Sequence, residues 1–151
     1  MKVPTALTFL AAACVFAAFA VLQANGFSLL GVKPNMVLAA IAVSAFFIEN
    51  IWLYLLLVGI AGFILKFAPG FHPEFLLLYA IGALAHLLGK YLPWHAFIGS
   101  LLIIIFGTLL FYSAFGAHLI MSAVFMKEIV LTMAVGVIIF ALFLNLWDNT
   151  K

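Results

Sequence analysis

Long apolar runs occupy almost the whole chain and decide what it can fold into. They are separated only by short segments that contain charged residues, proline, glycine or asparagine. Most of the runs approach the roughly 20 residues that a helix needs to cross a bilayer core about 30 Å thick. Because the runs are continuous and do not alternate between apolar and polar residues, they predict helices rather than the strands of a membrane barrel.

The composition excludes the common classes of soluble protein. Of the 151 residues, 70% are hydrophobic and 7% are charged, whereas ordinary soluble domains are about 25% charged. So few charged side chains cannot cover the surface of a soluble fold of this size. A soluble enzyme, a nucleic-acid-binding protein and a disordered linker are therefore excluded. We expect residues 1–151 to form a single polytopic membrane domain.

The apolar runs predict an all-α integral membrane bundle of about six transmembrane helices. The predicted spans are Thr5–Leu22, Met36–Ile48, Ile51–Leu65, Glu74–Gly89, Trp94–Ser113 and Ile129–Trp147. Residues 114–126 are expected to be re-entrant or interfacial. Five spans are the alternative, either because the first run is a cleaved signal peptide or because the second and third runs merge.

The second and third runs are separated only by Glu49 and Asn50. A single helix through both runs would place the Glu49 carboxylate near the bilayer midplane, at a cost of about 2.5–3.5 kcal/mol. Two short helices joined by a turn at Glu49-Asn50 avoid this cost and are favoured.

Two ionisable residues are candidates for function because charge inside a membrane is costly. Glu49 is interpreted as a solvated turn residue, with a buried carboxylate that binds a cation or a lysine as the alternative. His86 is the deepest polar residue of the fourth run. A histidine bonded to a backbone carbonyl between helices is favoured over a proton relay with Glu49 or His118.

The sequence gives no indication of catalysis, and we expect neither a catalytic residue, nor a metal site, nor a cofactor. No two of the four histidines are spaced four residues apart, as a helical metal or haem site would favour. Nucleophile elbows, paired aspartates and glycine-rich phosphate loops are also absent from the sequence. The chain is therefore not expected to be an enzyme.

Small residues recur at roughly helical spacing, with Gly59 and Gly62 in the third run as the clearest example. Lipid provides no hydrophobic drive for helix association, so close backbone approach must provide it. This pattern indicates a compact bundle on whose helix faces partner proteins dock.

An ordered set of features extends across residues 31–113. Lys33-Pro34-Asn35 opens an apolar helix, a short hairpin leads to a third span with Gly59 and Gly62, and a turn precedes the fourth span. In this order, together with chain length and span count, the sequence resembles the rod shape-determining protein MreD family. It departs from the family at Lys66, where an aspartate is usual.

The resemblance implies a non-catalytic scaffold subunit of the bacterial cell-elongation machinery, which maintains cell shape and peptidoglycan synthesis. It further implies a multi-pass protein of the cell inner membrane. The implied partners are MreC-like and RodA-like proteins and a penicillin-binding transpeptidase, with no nucleic acid. The candidate binding residues are Lys33, Pro34, Asn35, Glu49, Gly59, Gly62, Lys66 and His86.

A second function stays open, because the MreD family is similar in architecture to the substrate-binding S components of energy-coupling-factor transporters. A third possibility is a plain small subunit of a larger membrane complex. A solute-binding subunit should bring several polar side chains together. Because the runs contain few polar residues, such as Ser44, Asn50 and His86, the scaffold function is favoured.

Overall fold

The computed structural model describes residues 6–65, 73–91 and 95–148. Within them the chain forms six α-helices, a short 3-10 turn at Ala117–Leu119 and no β-strand, so the all-α prediction is confirmed. The helices are α1 (Ala6–Ala24), α2 (Met36–Ser44), α3 (Ile51–Leu65), α4 (Pro73–Tyr91), α5 (Ala96–Phe115) and α6 (Ala123–Asp148).

The short helix α2 lies at the centre of the bundle. All nine of its residues are at most 3% exposed. The other five helices form a ring around it in the order α1, α3, α4, α5, α6, and α6 closes the ring against α1. At 1.5 Å per residue α2 is about 14 Å long. It is therefore a core element enclosed by longer helices.

The side chains of α2 and of its neighbours explain why a helix can be enclosed in this way. In α1, one apolar stripe faces inward through Ala12, Phe16 and Ala20, which are four residues apart and at most 4% exposed. Apart from Ser44, α2 carries only apolar side chains, and three of them are small enough to let neighbouring backbones approach closely: Ala39, Ala40 and Ala42.

Polar groups from three parts of the chain satisfy the buried N-terminus of α2. The Asn35 side chain accepts a hydrogen bond from Leu38 N at 3.0 Å, and Gln23 Oε1 of α1 accepts one from Val37 N at 2.9 Å. The Asn35 N–H donates to Thr132 Oγ1 of α6 at 3.0 Å. Because unpaired N–H groups in a buried helix end are costly, these bonds determine where α2 begins.

The predicted turn between the second and third runs is confirmed. Glu49 and Asn50 are exposed, and Asn50 Oδ1 accepts from two N–H groups in the first turn of α3 at 2.9 and 3.3 Å. As a helix, the second run ends at Ser44, earlier than predicted. Two of the hydrogen bonds that follow span three residues instead of four, from Phe46 N to Val43 O and from Phe47 N to Ser44 O, and this leads the chain out of the helix.

The last helix begins earlier than the sequence suggested. We predicted a span from 129 after a re-entrant or interfacial segment, but α6 begins at Ala123 and contains Lys127 and Glu128. Ser122 initiates it, since its hydroxyl accepts from Phe125 N at 3.2 Å. Lysine and glutamate are good helix formers, so they continue the helix instead of interrupting it.

Two helices of the described chain are long and apolar enough to cross a membrane, Ala96–Phe115 and Ala123–Leu146. Shorter apolar helical segments lie at Phe9–Ala24 and Ile51–Leu65. The prediction of six spanning helices thus agrees with the helix count, while length and hydropathy alone support two spans.

We expect Asn35→Ala to lower the melting temperature of the purified protein more than Asn50→Ala does. Both residues cap a helix, and losing an N-cap costs about 1 kcal/mol. In Asn35→Ala the N–H group of Leu38 loses its acceptor. Because the surrounding helices enclose this group, it adds a desolvation cost of about 1–3 kcal/mol, whereas solvent reaches the first turn of α3. Thermal unfolding in detergent measures the difference, and an equal or larger loss for Asn50→Ala would contradict it.

Candidate functional site

A cavity of about 360 Å³ lies at the end of the bundle where α1, α3 and α5 end and α2, α4 and α6 begin. This volume falls in the lower part of the range found for small-molecule sites. Among the residues that the structure describes, five polar side chains contribute to its wall together with two phenylalanine rings, Phe75 and Phe111. The polar residues are Gln23, Lys33, Asn35, Glu74 and Glu128.

Two of these polar side chains have structural roles. Gln23 and Asn35 cap α2 as described above, and Gln23 Nε2 also donates to Asn35 Oδ1 at 3.4 Å. Both amides are thus held by the fold and present a fixed polar surface to the cavity.

The two carboxylates come from different helices. Glu74 lies in the first turn of α4, where the helix dipole favours a negative charge. Glu128 lies in α6, and its Oε2 accepts a hydrogen bond of 2.5 Å from the hydroxyl of Tyr112 in α5. The Tyr112 ring in turn packs edge-on against Phe125, with 4.9 Å between ring centroids. This contact fixes the position of the Glu128 carboxylate.

Lys33 is the cationic side chain that the described residues contribute to the cavity, and a tight turn brings it there. Leu29 and Val32 are joined by two backbone hydrogen bonds of 2.8 and 2.9 Å, and Leu30 and Gly31 between them have φ values of 53° and 78°. Two consecutive residues with positive φ are typical of a type I′ turn, in which glycine is favoured. Lys33 follows the turn directly and is exposed.

The structure separates the predicted binding residues into two groups. Lys33, Pro34, Asn35 and Gly62 line the cavity, and Gly59 lies about one turn before Gly62 in α3. Glu49 and His86 lie toward the opposite end of the bundle. Lys66 lies outside the described residues. No single site therefore contains all the predicted residues.

The two glycines of α3 provide space for aromatic side chains of α4. A Cβ atom at Gly59 would lie 2.9 Å from Tyr79 Oη, and one at Gly62 would overlap the Phe75 ring. Tyr79 Oη also donates to Leu55 O at 2.8 Å. The close contact expected from these glycines is thus made by rings of α4, and one of these rings lines the cavity.

His86 is 5% exposed and stacks on the Tyr54 ring, with 5.1 Å between ring centroids. The imidazole also interacts with the backbone of Glu49, while Nδ1 has no hydrogen-bond partner. Neither His86 nor Glu49 lines the cavity, and His118 lies in the 3-10 turn between α5 and α6. The proposed relay partner His118 is thus far from His86 along the bundle.

Sequence reasoning missed Gln23, Glu74 and Glu128, which it used only to mark the ends of apolar runs. The expectation that too few polar residues would come together in the bundle is wrong, because these three join Lys33 and Asn35 in one cavity wall. The sequence signal that could have found them is the alternating direction of successive helices, which places every second connection, and the polar residues in it, at the same end of the bundle.

A second concave surface has a different character. A groove of about 310 Å³ runs between α4 and α5 and is lined only by apolar residues, among them Leu84 and Phe106. Both side chains are more than half exposed. Such a surface suits an apolar environment.

The described residues contain no group of three or more His, Cys, Asp or Glu side chains that could hold a metal ion. No protein-family model matches the chain, and no curated protein and no solved structure is significantly similar to it.

We expect Gly62→Ala to destabilise the protein, although alanine is a better helix former than glycine. The new methyl group must displace the Phe75 ring, and overpacking of this kind costs roughly 1–3 kcal/mol. Gly82→Ala is the matched control, since its Cβ would lie 3.4 Å from Val58 Cγ2, an ordinary contact. Thermal unfolding of both variants, and of Gly62→Ala combined with Phe75→Leu, checks this. If Phe75→Leu does not restore the stability of Gly62→Ala, the loss does not come from overlap between the new methyl group and the Phe75 ring.

We expect His86→Phe to leave the stability nearly unchanged, because the lost interaction with the Glu49 backbone is offset by removal of the buried Nδ1, which has no partner, while a ring is kept on Tyr54. Tyr54→Phe serves as the comparison. It removes the hydroxyl that donates to Ile41 O at 3.1 Å and should cost about 0.5–1.5 kcal/mol. A melting temperature lower for His86→Phe than for Tyr54→Phe would show that the imidazole makes a stabilising polar contact.

Proposed function

We propose that the chain is a multi-pass membrane protein with six membrane-embedded helices in its bundle. The distribution of charge supports this. The charged side chains of the described residues lie in connections or within two turns of a helix end: Lys33, Glu49, Glu74, Lys90, Lys127 and Glu128. Between the two ends the outer surface is apolar, with exposed groups such as Phe63 and Phe106. An apolar belt between two charged ends suits a bilayer.

Within the membrane, we propose that the protein acts as a non-catalytic subunit of the cell-elongation machinery, similar to MreD. The supporting observation is the position of Lys33-Pro34-Asn35, on which the resemblance depends. Pro34 is buried and has no N–H group that needs a partner, and Asn35 caps the enclosed helix. Lys33 remains exposed on the adjacent surface. The motif thus combines a fold-determining part with a part that a partner can reach.

If this proposal is correct, an affinity-tagged chain extracted from bacterial membranes in mild detergent should co-purify MreC-like and RodA-like proteins. An unrelated multi-pass membrane protein with the same tag is the control, since it should recover neither. Mass spectrometry of the eluted proteins is the measurement. Recovery of a transport ATPase instead of cell-shape proteins would contradict the scaffold function.

A second function is favoured by one specific observation, the polar cavity. We propose as the alternative that the chain captures a small solute, as the S components of energy-coupling-factor transporters do. The cavity brings charged, amide and aromatic side chains together near one end of the bundle, where a solute can enter from water. A scaffold does not require such a cavity.

A further inference from the structure

We propose that the cavity binds a small organic zwitterion that carries a primary ammonium group and an acidic group. This inference rests on the solute-binding function proposed above and specifies its ligand class. It concerns the cavity formed by Gln23, Lys33, Glu74, Glu128 and the rings of Phe75 and Phe111.

The charges of the wall have two signs and come from separate elements. Glu74 and Glu128 come from α4 and α6, whereas Lys33 comes from the connection between α1 and α2. A ligand with an ammonium group at one end and an acid at the other offers an opposite charge to Glu128 and to Lys33. Charge-assisted hydrogen bonds of this kind are stronger than neutral ones.

The N-terminus of α2 does not itself bind the acidic group. Its N–H groups at Val37 and Leu38 already donate to Gln23 and Asn35, so they are not available to a ligand. Among the described residues of the wall, Lys33 is therefore the cation that meets the acid.

The site for the ammonium group is prepared before a ligand binds. The hydroxyl of Tyr112 holds one oxygen of Glu128, which orients the carboxylate with its second oxygen available as an acceptor. Phe75 and Phe111 lie in the same wall, and aromatic faces attract ammonium groups. A wall that contains both a fixed carboxylate and aromatic rings is thus suited to an amine.

The same wall disfavours other ligand classes. A phosphate ester would meet the Glu128 carboxylate as well as Lys33, and a simple amine would leave Lys33 without an opposite charge. A volume of about 360 Å³ limits the ligand to a small molecule. A zwitterion of amino-acid size meets all three conditions.

The test is thermal unfolding of the purified chain in nanodiscs, followed by tryptophan fluorescence. The probes are glycine, β-alanine, 4-aminobutyrate and lysine, with butylamine and butyrate as single-charge controls. At saturation, at least one zwitterion should raise the melting temperature by about 5–10 °C, while butylamine and butyrate should have little effect.

Charge-removing variants at the cavity end of the bundle test the proposal, and matching variants at the opposite end are the controls. Lys33→Gln and Glu128→Gln should each abolish the stabilisation. If either of these variants does not fold, Lys33→Met or Glu128→Met replaces it with the same expected result. Lys90→Gln and Glu49→Gln remove the same charges at the opposite end and should retain the full shift.

The outcomes separate this proposal from the function on which it rests. Stabilisation by butylamine but by no zwitterion, retained in Lys33→Gln, would overturn the proposed ligand class and leave the solute-binding function in place. Stabilisation by members of a vitamin panel but by none of the zwitterions would have the same consequence. No stabilisation by any of these compounds would overturn both proposals.

Discussion

The structure depends on satisfying the backbone of a helix that has no contact with solvent. α2 is enclosed by five other helices, so the N–H groups of its first turn can be satisfied only by protein atoms. Gln23, Asn35 and Thr132 provide those atoms from α1, from the adjacent connection and from α6. Their positions fix how these helices meet at one end of the bundle, and the cavity wall includes two of the three.

The cavity is a consequence of that arrangement. Caps and turns must be polar because they end helices, and an alternating order of helices collects several of them at the same end. Lys33, Glu74 and Glu128 each lie near the beginning of a helix there. A chain with few polar residues can therefore still form a polar cavity, because those residues are concentrated at helix ends and are not dispersed through the apolar belt.

The helices could be predicted from the sequence because their limits are local. Continuous apolar runs end at charges and turn residues, and α3 was predicted with its observed bounds of Ile51–Leu65. The cavity could not be predicted in this way, since it depends on which helices are neighbours in the ring. That order follows from side-chain packing, such as Phe75 against Gly62. The early start of α6 could not be read from the apolar run, because the charged pair Lys127-Glu128 is expected to precede the span that begins at Ile129, whereas both residues lie inside the helix.

The bond from Asn35 to Thr132 joins positions 97 residues apart, and this separation has a consequence for biosynthesis. The ribosome completes α2 long before α6 exists. Until α6 arrives, the amide of Asn35 lacks its acceptor and one side of α2 has no covering helix. The nascent bundle is therefore an open ring, and it closes only when nearly all of the described chain has been translated. A chaperone that shields α2 during this interval would act before the bundle has closed.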